Sequence, residues 1–238
     1  MSPVLALDIG GTYLKAALLD QDGEMLGDAL RAPTPVRTPP ASMLNAIANL
    51  VTQLGTFDRI SIGFPGALRR NVILTAPNLG TEFWRGVDLA QLIANHFNRP
   101  TRLANDATMH GLGVIEGDGI EVVMTLGTGM GFALFREGLP APQIELGQHT
   151  AGDSPSYDSF VGDAAFRTLG VDPWKQHVYT AISRCAALVN FDKLYLGGGN
   201  ARHFTQAELP DRVQLALNAA GLKGGIKLWQ PQMDLIYR

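Results

Sequence analysis

Twice in this chain an apolar run ends in a glycine-rich turn and a second apolar run leads away from it. Residues 3–9 (PVLALDI) reach Gly10-Gly11-Thr12, and residues 14–19 (LKAALL) follow. Residues 120–126 (IEVVMTL) reach Gly127-Thr128-Gly129-Met130-Gly131, and residues 132–135 (FALF) follow. Each stretch predicts a strand, a tight turn and a returning strand. The repetition predicts an α/β protein of two related lobes.

The segments between fit that plan. Met43, Leu44, Ile47, Leu50, Val51 and Leu54 recur with helical period after a Pro- and Thr-rich loop over 31–40. Residues 59–63 predict a strand entering Phe64-Pro65-Gly66, and residues 101–104 predict one entering Asn105-Asp106. Asp88 is placed to cap a helix carrying Leu89, Leu92, Ile93 and Phe97. Later, 156–168 and 173–190 predict helices, and 193–196 a strand ending in Gly197-Gly198-Gly199-Asn200. A helix over 211–220 is expected before a turn at Gly224-Gly225. The expected division is a small lobe over 1–106 and a larger lobe over 107–238, whose last helix is free to pack back on the first lobe.

Composition narrows the function classes. The formal net charge of −3, from 19 Lys+Arg against 22 Asp+Glu, argues against a nucleic-acid binder. No apolar run approaches the roughly 18 residues needed to cross a bilayer, so no membrane partner is expected. The opening Met-Ser-Pro-Val-Leu-Ala-Leu-Asp has no basic segment, and no signal peptide is expected. The one cysteine, Cys185, leaves no intrachain disulfide and no multi-cysteine zinc site, and it reads as a core residue. A cytoplasmic setting is expected.

The 27 glycines matter more than the charge, because they cluster where apolar runs end. A turn of that kind aims several backbone N–H groups at one point and binds anions, phosphate above all. It also serves simply to turn a hairpin, but four clusters, at 10–11, 127–131, 197–199 and 224–225, favour a phosphate site. Asp8 either supports a hydrated Mg²⁺ beside the phosphate or satisfies N–H groups of the turn. Lys15 either neutralises phosphate or sits on the sheet surface. Asn105-Asp106 is either a helix cap or a general base with an amide that orients a substrate hydroxyl.

Taken together, these segments resemble the ROK family of sugar kinases, most nearly its polyphosphate- or ATP-dependent glucokinases. Asp8-Ile9-Gly10-Gly11-Thr12 with Lys15 is similar to the family's first phosphate motif, and Leu126 to Gly131 to its second. Gly63-Phe64-Pro65-Gly66, Arg69-Arg70, Thr75-Ala76-Pro77-Asn78 and Trp84-Arg85-Gly86 resemble the stretch that shapes the sugar site. Asn105-Asp106-Ala107 resembles the catalytic segment, Glu145-Leu146-Gly147 the sugar-binding loop, and Gly197 to Asn200 with Gly221 to Gly225 the nucleotide-side glycines.

The resemblance implies an actin-like ATPase (ribonuclease H-like) fold of two α/β lobes with the site in the cleft. It implies transfer of a phosphoryl group from polyphosphate, ATP or both to the 6-hydroxyl of glucose or a related hexose. Asp106 is then the general base, and Gly66, Asn78, Asn105, Glu145 and His149 contact sugar. Asp8, Gly10, Gly11, Thr12, Lys15, Gly127, Thr128, Gly129, Gly198 and Gly199 face the phosphoryl donor, with Asp8 holding Mg²⁺ through water. A homodimer is expected.

Two departures stand out. The family pattern puts His three residues after the sugar-loop Glu, where this chain has Gln148 and then His149. The cysteine-rich zinc motif beyond it is missing, and Asp153 and Asp158 are both candidates for a further sugar carboxylate. An ATP-only kinase for another sugar (N-acetylmannosamine, mannose or fructose) and a non-catalytic sugar sensor are the alternatives. Some ROK proteins are repressors with an N-terminal helix-turn-helix. A first strand from about residue 3 leaves no place for one on this reading.

Overall fold

Strand β1 (Val4–Ile9) is apolar at every position except Asp8, and all but Asp8 are buried. A strand covered on both faces reads as a continuous apolar run, and β1 sits mid-sheet. The structure is a computed structural model and describes residues 3–35, 37–216 and 220–237. Strand β2 (Tyr13–Leu19) returns antiparallel to β1, with Lys15 opposite Asp8. Residues Leu30–Pro33, which overlap the loop expected over 31–40, form an edge strand, β3, against β2. A proline is tolerated there because no further strand asks for its N–H.

Helix α1 (Pro40–Val51) starts on a proline and buries Met43, Ile47, Leu50 and Val51 against this sheet. Strand β4 (Arg59–Phe64) then runs parallel to β1. The segment after it holds a hairpin of β5 (Leu68–Arg69) and β6 (Val72–Ile73) and a short helix, α2 (Thr81–Trp84). Arg70 and Asn71 turn the hairpin at φ 50° and 66°. Asp88 caps α3 (Leu89–Phe97), its Oδ1 accepting from the Gln91 N–H at 2.8 Å. Strand β7 (Thr101–Asn105) is parallel to β4 and leads directly into α4 (Asp106–Leu112). The sheet order is β3-β2-β1-β4-β7.

The second half repeats that order and those directions. Strands β8 (Ile120–Leu126), β9 (Met130–Arg136) and β10 (Leu139–Pro140) are antiparallel neighbours. Helices α5 (Tyr157–Val161), α6 (Asp163–Leu169) and α7 (Val171–Val189) precede β11 (Lys193–Gly197), which is parallel to β8. One helix was expected over 156–168; Gly162, extended at φ −76° and ψ 179°, divides it in two. The helix expected over 211–220 is instead an edge strand, β12 (Val213–Ala216), parallel to β11. Burial of Val213 and Ala216 beside β11 outweighs the helical spacing there. Residues 217–219 of that expectation lie outside the described residues. This sheet runs β10-β9-β8-β11-β12.

Helix α8 (Ala220–Lys227) belongs with the first half. The chain divides into one unit of Met1–Gly113 with Ala219–Arg238 and another of Val114–Asn218. Gly224 and Gly225, expected as a turn, lie inside α8. They are small because the helix presses on its neighbours: a Cβ on Gly224 would run into the Met109 carbonyl, and one on Gly225 would lie 3.1 Å from Ser61 Cβ. The buried Ser61 hydroxyl donates to the Gly225 carbonyl at 2.7 Å and accepts from Trp229 Nε1 at 2.9 Å. The Trp229 ring lies within cation–π range of Arg59 and Arg102, at 5.2 and 4.6 Å. Helix α4 packs against β4, β7 and α8, and the first unit accordingly includes it, running to Gly113. No described helix is long and apolar enough to cross a membrane.

Candidate active site

In the first unit, Asp8, Gly63 and Ala104 stand in one row across the parallel strands β1, β4 and β7. Ligands of α/β sheets bind beyond the carboxyl ends of such strands. The segments that follow the row are Gly10-Gly11-Thr12, Phe64-Pro65-Gly66 and Asn105-Asp106. One sheet end therefore gathers the candidate phosphate turn, sugar loop and catalytic pair.

The turn is pinned from the side. Gly10 N–H donates to the Tyr13 carbonyl at 3.0 Å. Buried Thr34 donates its hydroxyl to the Gly10 carbonyl at 2.7 Å and its N–H to the Thr12 carbonyl at 2.9 Å. Asn78 lies against Gly11, where a Cβ would be 3.4 Å from Asn78 Nδ2. Gly66 has no room for a side chain, since a Cβ would fall on the Thr75 carbonyl. Asn105 Nδ2 donates to the Gly66 carbonyl at 3.3 Å, while its Oδ1 accepts from the Thr108 N–H at 3.2 Å. Asp106 Oδ1 accepts from the Ala107 N–H at 2.8 Å. Behind the loop, buried Trp84 packs on Phe64 with ring centres 5.2 Å apart.

Lys15 Nζ lies 3.1 Å from Asp8 Oδ2, with the lysine half exposed. His110, one turn after Asp106 on α4, has a buried Nε2 with no hydrogen-bond partner. Burial pushes its pKa down; the Asp8 charge opposes that shift and the Lys15 charge adds to it. Among the described residues no group of three or more His, Cys, Asp or Glu gathers to hold a metal. A single carboxylate beside a glycine turn suits hydrated Mg²⁺, which keeps several waters and shares phosphate oxygens.

The second unit carries its own cluster. Between β8 and β9, the Gly127 N–H donates to the Gly129 carbonyl at 3.0 Å, and the Asp163 N–H at the start of α6 donates to the Gly127 carbonyl at 2.9 Å. Gly198, at φ 84°, presses on Leu126 so closely that a Cβ would collide with its carbonyl. The glycines of 127–129 and 198 are thus brought together. A Cβ on Gly127 or Gly199 would meet nothing within 4 Å, so packing does not account for glycine there. Thr128 is exposed at the tip of the turn.

Glu145 opens a short 3₁₀ turn and takes a hydrogen bond from Gln143 Nε2. Its pKa is raised chiefly by burial, with the Gln143 bond opposing and the Asp158 charge adding to the rise. The two residues after Gly147 are held differently. Gln148 donates its amide to Asp158 Oδ2. His149 is exposed, with Nδ1 3.2 Å from the carbonyl of the next residue, Thr150.

A model of the ROK family matches residues 4–143. The chain belongs to the ROK family. The polyphosphate glucokinase of Mycobacterium leprae is 30% identical to this ROK chain over 151 residues, 59% of this chain and 46% of that one. The chain thus matches less than half the length of that relative. The polyphosphate glucokinase of Mycobacterium tuberculosis is 25% identical over 205 residues, 82% of this chain and 77% of that one. Among solved structures, an inorganic polyphosphate/ATP-glucomannokinase from Arthrobacter sp. strain KM superposes with a TM-score of 0.86 at 26% identity, covering 99% of each chain. The architecture is the actin-like ATPase fold of ROK kinases.

Sequence reasoning missed Thr34, which holds the first turn from just past an edge strand that itself reads as loop. It also missed His110, whose nearness to Asp8 depends on how α4 lies along the sheet. Cys185 is a core residue as expected, its thiol pushed up to about 12 by burial.

Proposed function

We propose that this ROK protein is a hexokinase that transfers a phosphoryl group from polyphosphate, ATP or both to the 6-hydroxyl of glucose or a related hexose. The observation that carries the reading is the common end of β1, β4 and β7, beyond which the glycine turn, the Gly66 loop and Asn105-Asp106 all follow. In the proposed step the hexose hydroxyl oxygen bonds to the donor's terminal phosphorus, the bond from that phosphorus to the rest of the donor breaks, and Asp106 takes the hydroxyl proton. Phosphoryl transfer asks the protein mainly for positioning and charge stabilisation. Asn78, Asn105 and Gly66 serve the first, and Lys15 with the N–H groups of Gly11 and Thr12 the second, in a turn that Gly10 closes through its own N–H.

Glu145 suits a polyol because a carboxylate accepts from two hydroxyls. We assign the neighbouring sugar contact to His149, which is exposed, since the Gln148 amide already donates to Asp158. Gly127, Thr128, Gly129, Gly198 and Gly199 are assigned to the donor; the open space beside Gly127 and Gly199 supports this. When bound, Mg²⁺ supplies charge neutralisation at the donor's phosphate oxygens, and Asp8 would hold it through water. The cytoplasm and a homodimer complete the proposal.

The names of the relatives, which include polyphosphate and both donors, support the choice of donor class. An initial-rate scan of glucose, mannose, fructose and N-acetylmannosamine against ATP and polyphosphate tests it. Turnover with glucose or mannose is expected; turnover with none of the sugars on either donor sinks the reading.

A further inference from the structure

One carboxylate in the second unit is shared by two segments that the proposed function assigns to different substrates. Asp158 lies on the short helix α5. Its Oδ1 accepts from the Met130 N–H at 2.7 Å, at the end of the glycine turn. Its Oδ2 accepts from the Gln148 side-chain amide, in the loop that follows Glu145. The carboxylate also occupies the space that side chains would need on both segments. A Cβ on Gly129 would lie 2.5 Å from Asp158 Oδ1, and a Cβ on Gly147 would lie 2.6 Å from the same atom.

The helix bearing Asp158 is itself fixed. At its end, a Cβ on Gly162 would lie 2.5 Å from the Thr128 carbonyl oxygen, so α5 abuts the tip of the turn. One residue on, the Asp163 N–H is bonded to Gly127. Asn200 Nδ2 holds Asp163 Oδ1 at 2.7 Å. The turn, α5 and the Glu145 loop are therefore joined through one side chain, and a shift in either segment must strain or break a charge-assisted hydrogen bond.

We propose that Asp158 is a positioning residue that ties the glycine turn Gly127–Gly129 to the loop Glu145–Gln148, so that donor and hexose binding reinforce each other. The role differs from direct contact with sugar: the carboxylate acts through the Met130 N–H and the Gln148 amide. Ordering one segment prepays part of the cost of ordering the other, which is positive coupling between two ligands. The assignment of ligands rests on the function proposed above; the tether itself does not.

Two variants separate the tether from simple loss of fold. Asp158→Asn retains an oxygen for the Met130 N–H and, with the Gln148 amide turned end for end, a bond to Gln148 as well. Asp158→Ala removes both. Two measurements on the full chain read the result. Hydrogen exchange followed by mass spectrometry is expected to show residues 127–131 and 145–150 losing protection together in Asp158→Ala and keeping it in Asp158→Asn. Exchange that rises in only one segment, or in neither, overturns the tether. Calorimetric titration of glucose with and without saturating β,γ-imido ATP or tripolyphosphate reads the coupling.

The wild type and Asp158→Asn are expected to bind glucose at least about fivefold more tightly with the donor analogue present, the lower end of usual coupling. Asp158→Ala is expected to lose that difference. Wild-type coupling preserved in Asp158→Ala, or no coupling in the wild type, overturns the proposal. A wild type that binds no hexose while the two segments still exchange together overturns the hexokinase reading and leaves the tether standing.

Discussion

Asn105 donates its side-chain amide to the Gly66 carbonyl while the oxygen of the same side chain caps helix α4 through the Thr108 N–H. The sequence presents cap and site residue as alternatives; the cap is formed, and it leaves the amide nitrogen to hold the Gly66 loop. The cap sets where α4 starts, and the start of α4 sets where Asp106 stands at the end of β7.

That geometry makes Asp106 separable from the fold. Asp106→Asn keeps an oxygen for the Ala107 N–H, so the helix start is preserved. Turnover is expected to fall roughly 10²-fold or more, the scale of general-base contributions, while calorimetry shows hexose affinity little changed. Near-normal turnover would remove Asp106 from the mechanism.

Glu145 should give sugar use an acid limb. Burial raises its pKa above the ordinary value of 4.5, and only the ionised form is acceptor-only. The kcat/KM for glucose is expected to fall as pH drops through that raised value, and Glu145→Gln to flatten the limb. Stability has the opposite sign. The folded state favours the protonated carboxyl, so this contribution is complete below the unfolded pKa and lost as pH rises through the folded one. Urea unfolding across the acid range measures it directly; a limb that survives in Glu145→Gln assigns it elsewhere.

His110 should make the first unit acid-sensitive. Its folded pKa lies below the ordinary 6.5, so an unfolded chain takes up a proton that the folded chain refuses. The stability it lends is present above about 6.5 and is lost as pH falls toward the folded value. The difference in unfolding midpoint between wild type and His110→Leu, followed from pH 7.5 to 5, is expected to shift in favour of the variant on acidification. A pH-independent difference would mean His110 is protonated alike in both states.

Two glycines should respond in opposite ways. Gly66→Ala drives a methyl group into the Thr75 carbonyl and is expected to lose about 1–3 kcal/mol, as overpacking does. Gly127→Ala meets nothing within 4 Å, so its midpoint should hold while the donor KM rises. Thermal melts paired with donor titrations check both, and an unchanged donor KM in Gly127→Ala would take that turn out of the donor site.

The parts of the fold that show in the sequence are those where local pattern and tertiary role agree. β1, α1, α3 and the Asp88 cap combine periodicity with a recognisable start, and both glycine hairpins are bounded by apolar runs. Misreadings fall where packing decides. Val213–Ala216 has helical spacing but is claimed by the edge of β11. Gly224 and Gly225 resemble a turn, yet they are small to let α8 lie on Met109 and Ser61. In the candidate site, residues within a motif are legible because their order is local. Thr34, His110 and the Asp158 bond to Gln148 join separate segments through packing, and no spacing rule announces them. The pairing of Gln148, and not His149, with Asp158 is likewise set by how α5 packs on the loop.

The return of α8 to the first unit bears on how the polypeptide is made. Ala6, Ala17 and Leu19 lie on a face of the first sheet that Leu222 and Ile226 cover. A ribosome must translate Val114–Asn218 before that cover exists. At roughly 5–20 residues per second, synthesis of the intervening stretch takes on the order of ten seconds. For that interval the nascent first unit presents an apolar face to the cell, a window in which a chaperone can bind it and a stalled chain can aggregate, whereas the second unit has all its residues as soon as it is synthesised.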